Sequence, residues 1–344
     1  GMIYRPNREK DVERLKELAR SMIAATGHEE ISLSSLSSSD YSQLEELITF
    51  LIDECGKKKI NISLPSLRID AFSLDIMQKV QDIKKSSLTF APEAGSQRLR
   101  NVINKGLTID NILDGSKQAF EGGWNKVKLY FMLGLPTETE EDMRAIPELA
   151  NEIAALYYDT VPKEKRNGKC QITISTSFFV PKPFTPFQWA TMLDPGDYLG
   201  RAKIVNDHVK EQLNHKSIRY NWHEADVTVL EGVLARGDRK LSDAIEYVYT
   251  HGGLFDAWSD FFNYDLWLEA FAACDIDIDF YTKRVRSDDE IFPWDFIDVG
   301  VTREFLLREW KTALTETVTP NCRMRCSGCG ARQYGGGVCF EDKN

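Results

Sequence analysis

Residues 126–156, KVKLYFMLGLPTETEEDMRAIPELANEIAAL, decide the fold. The stretch opens on an apolar, aromatic-rich run, Lys126–Leu133, that predicts a strand ending in the loop residues Gly134-Leu135-Pro136. Thr139 then opens a helix predicted over residues 140–156, acidic in its first turn where the helix dipole favours negative charge. A strand, a short loop and a helix in that order are the first part of a βαβ unit.

The alternation extends in both directions. Residues 11–23 repeat apolar positions at three and four, the pattern of an amphipathic helix. Residues 31–36, 60–64 and 88–91 predict strands upstream, and residues 171–180, rich in Thr, Ile and Phe, predict one downstream. Helices are predicted over 41–54 with Asp40 as cap, 74–83 with Ser73 as cap, 97–103 and 110–121. Such alternation means right-handed βαβ units and a parallel sheet. A helix with no strand ahead of it points to an incomplete parallel βα barrel over residues 1–190, lacking its first strand. That leaves an edge beside residues 31–36, expected to be covered by the tail, the amino terminus or a second copy of the chain.

Asp194-Pro195-Gly196 is a turn, and beyond it the pattern changes. Residues 198–213, 225–235, 243–249 and 302–314 predict helices, so residues 191–319 are expected to form a mainly helical appendage, with a Cys-rich tail over 320–344. The fold class is α/β.

The 344 residues are 42% hydrophobic and 28% charged, enough for a substantial core. The formal net charge of −10 argues against tight non-specific binding to nucleic acid. No apolar run has membrane-spanning length, and the opening lacks the basic-then-apolar pattern of a secretory signal. A cytoplasmic protein with no membrane partner is the expectation.

In a parallel barrel, chemistry sits at the carboxyl ends of the strands. Those ends read Ser37-Ser38-Ser39-Asp40, Pro65 to Asp70, Pro92-Glu93-Ala94-Gly95-Ser96, Gly134 to Thr139, and Pro181-Lys182-Pro183-Phe184-Thr185-Pro186. They form a polar rim without the glycine fingerprint of dinucleotide binders. Taken one at a time, each is equally readable as a turn.

Together these segments resemble the radical S-adenosylmethionine (SAM) superfamily over residues 1–190. Leu129 to Thr139 is similar to the family's fifth-strand motif, Glu93-Ala94-Gly95-Ser96-Gln97-Arg98 with Asn104-Lys105-Gly106 to the fourth-strand motif, and Phe179 to Phe187 to the sixth-strand segment that passes the adenine. The resemblance implies SAM bound by Ser37, Glu93, Ser96, Gly134, Pro136 and Pro181, and a 4Fe-4S cluster that cleaves SAM to a 5′-deoxyadenosyl radical. The opening Gly1-Met2-Ile3-Tyr4-Arg5-Pro6 looks like the stretch after the family's C-x3-C-x2-C cluster loop, in a subfamily of unknown substrate with a cobalamin-binding-like domain in front. It implies a chain cut after that loop, inert by itself, with cobalamin a further cofactor of the whole protein. The implied substrate is a macromolecule such as tRNA or protein, by analogy with methylthiotransferases.

The resemblance runs on through Arg236-Gly237-Asp238-Arg239, Phe255-Asp256-Ala257-Trp258 and Phe292-Pro293-Trp294-Asp295, for which core aromatics and surface charges are the plain reading. His223-Glu224-Ala225-Asp226 reads as a helix start more than as a metal or acid–base group.

Of seven cysteines, four crowd the tail. Cys322, Cys326 and Cys329 repeat the C-x3-C-x2-C spacing, but no strands follow to build a SAM pocket, and Cys339 offers a fourth thiolate. Four thiolates suit a closed auxiliary iron–sulfur cluster or a structural zinc; free thiols are the third reading. The non-enzymatic alternative is a binding module with this tail as a zinc- or cluster-binding knuckle. A zinc- or phosphate-dependent barrel enzyme is the rival catalytic class.

Overall fold

The computed structural model of the protein describes residues 5–6, 8–33, 35, 41–63, 88–166, 168–322 and 324–335. The described elements run α1 (Val12–Ala25), β1 (Glu30–Ser32), α2 (Leu44–Gly56), β2 (Asn61–Ser63), β3 (Leu88–Glu93), α3 (Gln97–Val102), α4 (Ile109–Glu121), β4 (Lys126–Leu133), α5 (Glu140–Thr160) and β5 (Gln171–Phe178). They continue with α6 (Pro195–Glu211), β6 (Ile218–Trp222), α7 (Ala225–Arg236), α8 (Leu241–Thr250), α9 (Tyr264–Ala273), α10 (Ile278–Thr282) and α11 (Arg303–Leu314). The predicted helix over 74–83, with Ser73, and the cap Asp40 lie outside the described residues.

All described strand pairs are parallel. β1 pairs with β2, and β3, β4, β5 and β6 form a second sheet in that order. This is a mixed α/β fold with the parallel strands of a partial βα barrel, as expected. Along β4, Val127, Leu129, Phe131 and Leu133 are buried while Lys128, Tyr130 and Met132 are less so. The period-two alternation turns the first set onto the helix layer. There α5 presents Met143, Ile146, Leu149, Ala150, Ile153 and Tyr157, spaced at three and four along one face. Each fully buried Leu or Phe in this layer contributes about 2–3 kcal/mol. Thr139 and Asp142 close a capping box at the start of α5, so the helix begins where the sequence places it.

The sheet runs past the boundary expected at residue 190. After α6, β6 adds to β5 with Ile172 opposite Ile218 and Thr176 opposite Trp222. Its sequence, Ile-Arg-Tyr-Asn-Trp, mixes charged and aromatic residues because an edge strand buries little, and so it carries no clear strand signal. The helices α7 to α10 then build their own core around Val233, Ala244, Trp267 and Phe271.

The last helix returns to the sheet. Trp310 and Ala313 of α11 pack with Ala94, Leu99, Leu135, Phe179 and Ala190. These partners come from the segments that follow β3, β4 and β5, so α11 lies over the carboxyl edge. Among the described residues no helix is long and apolar enough to cross a membrane.

Each of the three later motifs contributes a structural contact. Arg236, read as a surface charge, is fully buried, and its guanidinium donates to the Ala190 carbonyl at 2.9 Å. Asp256 accepts from the Trp267 indole at 3.0 Å, and Trp294 donates to Gln188 at 3.0 Å. Phe255 and Trp258 are exposed, not core. Their local i, i+3 spacing carries no information about which face the turn presents.

Candidate active site at the carboxyl edge of the sheet

Sheet register brings three of the five predicted segments to one edge; those at 37–40 and 65–70 lie outside the described residues. Glu93 ends β3, Gly134 follows β4, and the Phe179 amide donates to the Leu133 carbonyl at 2.8 Å, continuing the β4–β5 ladder into the Val180-Pro181 segment. Each of the three loops carries a non-glycine residue in the left-handed region: Glu93 at φ 69°, Thr137 at 67° and Phe184 at 58°. Such conformations cost about 1–3 kcal/mol each and collect where structure is spent on ligand geometry.

Glu93 is half-buried and its carboxylate pairs with Lys105 at 3.1 Å. Gly134 has φ 84°, and a Cβ there would stand 2.6 Å from the Tyr198 ring, so glycine is needed twice over. Pro136 is half-buried and Pro181 buried in the neighbouring loop. Ser96 is the N-cap of α3: it accepts from the Leu99 amide at 3.1 Å and donates its hydroxyl to Asp142. Ser37 lies outside the described residues.

The sequence reading missed the side chains that hold these loops. Arg98 donates to the Thr137 carbonyl at 2.7 Å, pairs with Asp142, and reaches Glu316 beyond α11 at 3.0 Å. Asp142 also accepts from the Thr139 amide at 2.8 Å. Burial alone would raise its carboxyl, but the bonds from Arg98, Ser96 and Thr139 prevail and hold it below the ordinary Asp value. Arg100 is wholly buried and donates to the carbonyls of Ala94 at 2.9 Å, Gly95 at 2.8 Å and Leu107 at 3.1 Å. The acidic first turn of α5 was the available signal for Asp142; nothing local signals the arginines.

Glu138, one residue after Thr137, has a side chain only 1% exposed. One of its oxygens, Oε2, accepts both the Gly134 amide at 2.8 Å and the Arg201 guanidinium at 2.7 Å. Burial raises its pKa to about 7, against the opposing pull of the amide and the guanidinium. A carboxyl raised in the folded state binds protons that the unfolded chain releases. Folding stability should therefore rise as pH falls from about 7 towards the ordinary value of 4.5. We expect that rise to be about 1–3 kcal/mol in urea unfolding, and to flatten in Glu138→Gln.

The edge fits SAM in kind. Glu93 supplies an acceptor for hydroxyl or ammonium groups, Gly134 and Pro136 are half-buried with the Gly134 amide and Leu135 carbonyl already engaged by Glu138, and Pro181 is an apolar, buried neighbour. The same region does not fit an iron–sulfur cluster, because residues 2–150 hold only Cys55, a buried thiol.

In the tail, Cys329 is buried beside Trp189, Phe292 and Phe305, and its carbonyl accepts from the Thr302 amide at 2.9 Å. Cys322 is half-buried and Cys326 exposed. Among the described residues no three His, Cys, Asp or Glu side chains gather as a metal site, and Cys339 lies outside them. His223 and Glu224 precede α7, with Glu224 as its N-cap, in keeping with a helix start.

Residues 2–150 match the radical SAM superfamily. Over that stretch the chain is similar to a radical SAM domain. An uncharacterized protein of Methanocaldococcus jannaschii is 34% identical over 245 residues, 71% of this chain and 50% of that protein. A protein of the same organism, provisionally named a methylthiotransferase, is 28% identical over 143 residues, 39% of this chain and 31% of that protein. The chain thus spans half or less of the length of these two relatives. The radical SAM match covers the strand ends of β3 and β4 and the start of α5, where Glu93, Ser96, Gly134, Pro136, Glu138 and Asp142 lie.

Proposed function

We propose that this chain is the SAM-positioning body of a radical SAM enzyme. The observation that carries the reading is the meeting of the three loops after β3, β4 and β5 at one edge, each strained, inside and beside the stretch that matches the family. When bound, a three-thiolate cluster supplies the electron that cleaves SAM; the protein's part is binding and orientation. Glu93 would hold a polar group of SAM, the Gly134–Thr137 backbone and Pro181 would line the adenosine, and Arg98 with Asp142 would keep the loops in place. Since residues 2–150 offer no three thiolates, we place the cluster loop in sequence ahead of residue 1, and expect this chain alone to be inert.

Calorimetry on the chain alone should show little SAM binding. With a C-x3-C-x2-C loop joined ahead of residue 1 and its cluster reconstituted, binding should appear, and dithionite should yield 5′-deoxyadenosine. Absence of both in the reconstituted protein would remove the enzyme reading.

The substrate is proposed to be a macromolecule such as tRNA or protein, a reading supported by the provisional name of the second relative. We further propose that Cys322, Cys326, Cys329 and Cys339 bind an auxiliary cluster or zinc, as metal and local fold usually order together. Support comes from the buried Cys329 and from left-handed Gly328 and Gly330 on either side of it, at φ 68° and 95°. Anaerobically prepared protein should contain iron with sulfide, or zinc, bound in the tail, and Cys326→Ser should lose it while the barrel stays folded. Metal-free protein indistinguishable from the variant would reduce the cysteines to free thiols.

A further inference from the structure

The loop after β4 is held from beneath by a helix that starts far along the chain. Arg201 stands 63 residues from Glu138, yet the two meet at 2.7 Å, and the same carboxylate oxygen receives the Gly134 amide at 2.8 Å. One helical turn earlier, Tyr198 is wholly buried, its ring fills the space that a Gly134 side chain would need, and its hydroxyl donates to the Phe179 carbonyl at 2.8 Å. Residues 198 and 201 share a face of α6 at i, i+3 spacing. That one face therefore grips two neighbouring strand ends: β4 through Glu138 and Gly134, and β5 through Phe179.

We propose that Arg201 and Glu138 are positioning residues for the ligand-binding edge, forming a relay from α6 to the Gly134 amide that sets the loop after β4 against the loop after β5. The inference rests on the SAM-binding reading of those loops. Glu138 is not itself a reacting group: its side chain is 1% exposed, and Oε2 is engaged by both donors. Its place in the sheet also argues for positioning. A buried carboxylate is costly to keep unless paired, so its pairing with one donor from the loop and one from α6 joins two elements that the backbone ladder leaves independent. On the SAM-binding reading the Gly134–Thr137 segment lines the adenosine, and its backbone has no rotamers with which to compensate for a shift. A displacement on the order of 1 Å there is enough to weaken binding severely. Besides Arg201, the titratable groups that act on Glu138 are Asp142 of α5, Tyr198 of α6 and Tyr220 of β6.

Two measurements test the relay separately from the SAM reading. Hydrogen–deuterium exchange of residues 132–138 is followed in the chain and in Glu138→Ala, Glu138→Gln, Arg201→Met and Arg201→Lys. SAM affinity is then measured in the same variants of the protein that carries the cluster loop and its cluster. Exchange in this segment should quicken by about tenfold or more in Glu138→Ala and Arg201→Met, with SAM affinity falling by a similar factor. Glu138→Gln, which keeps an acceptor for the Gly134 amide, should restore most of both, and Arg201→Lys, which keeps the charge, should restore part. Unchanged exchange in Glu138→Ala would overturn the relay. Faster exchange with unchanged SAM affinity would overturn the positioning role and leave the radical SAM reading standing. Faster exchange spread over all of β3 to β6 would make the pair merely structural. If the cluster-bearing wild type binds no SAM, the proposed function falls and takes this inference with it. Should Glu138→Ala fail to fold, the Gln and Lys variants carry the comparison.

Discussion

Replacing Arg100 by Met should lower the free energy of unfolding by about 3–5 kcal/mol. Arg100 is fully buried and has no carboxylate partner among the described residues; its charge is held by the carbonyls of Ala94, Gly95 and Leu107 and by the Gln97 side chain at 3.3 Å. Burial lowers its pKa to about 10, so it stays a cation at neutral pH. Methionine keeps the stem and much of the volume but leaves the buried Ala94 and Gly95 carbonyls without this donor, each costing about 1–3 kcal/mol if water cannot enter, and leaves the Leu107 carbonyl only the Gln97 amide at 3.3 Å. Two of these carbonyls belong to the turn between Glu93 and Ser96, so the variant should also loosen the candidate site. Chemical unfolding followed by tryptophan fluorescence measures the first effect. A loss below about 1 kcal/mol would mean that water replaces the guanidinium, and that the turn is held otherwise.

Gly95→Val should destabilise by about 3 kcal/mol or more, through overpacking. A Cβ at residue 95 would lie 2.5 Å from the Ile146 amide nitrogen, 2.7 Å from the Ala145 carbonyl carbon and 2.9 Å from the Asp142 carbonyl oxygen. All three are backbone atoms of α5, so no side chain can swing aside. The helix must move off the turn, and with it Asp142, which ties Ser96 and Arg98 together. Gly56→Ala is the control. A Cβ there meets nothing within 4 Å and the backbone needs no positive φ, so its effect should be near zero. Gly95→Val and Arg100→Met share the Gly95 carbonyl, so their effects should not add. Equal unfolding midpoints for Gly95→Val and wild type would show that the contact between turn and α5 is looser than these distances state.

Much of the edge was legible because strand ends announce themselves. Gly134 and Pro136 stop a strand chemically, and Ser96 and Thr139 cap the helices that follow, so the loops after β3 and β4 stand where the residue types place them. Ser96 is in the expected loop, with its hydroxyl engaged by Asp142 and by its own helix. β6 was not legible, since an edge strand with Arg219, Asn221 and Trp222 exposed lacks the apolar alternation that marks a half-buried strand.

The sequence by itself determined the alternation of strands and helices through β5, the parallel sheet, and the loops after β3 and β4. These follow from periodicity and capping, which act over a few residues. Only the tertiary structure decided that Arg201 completes Glu138, that Arg98 joins Thr137, Asp142 and Glu316, that Arg100 and Arg236 are buried, and that α11 returns to cover the edge. An arginine in a sequence carries no mark of burial, because its charge is tolerated inside only when distant carbonyls or carboxylates converge on it. That convergence is a property of the folded chain, where contacts across 63 or 218 residues are set by the packing of whole elements.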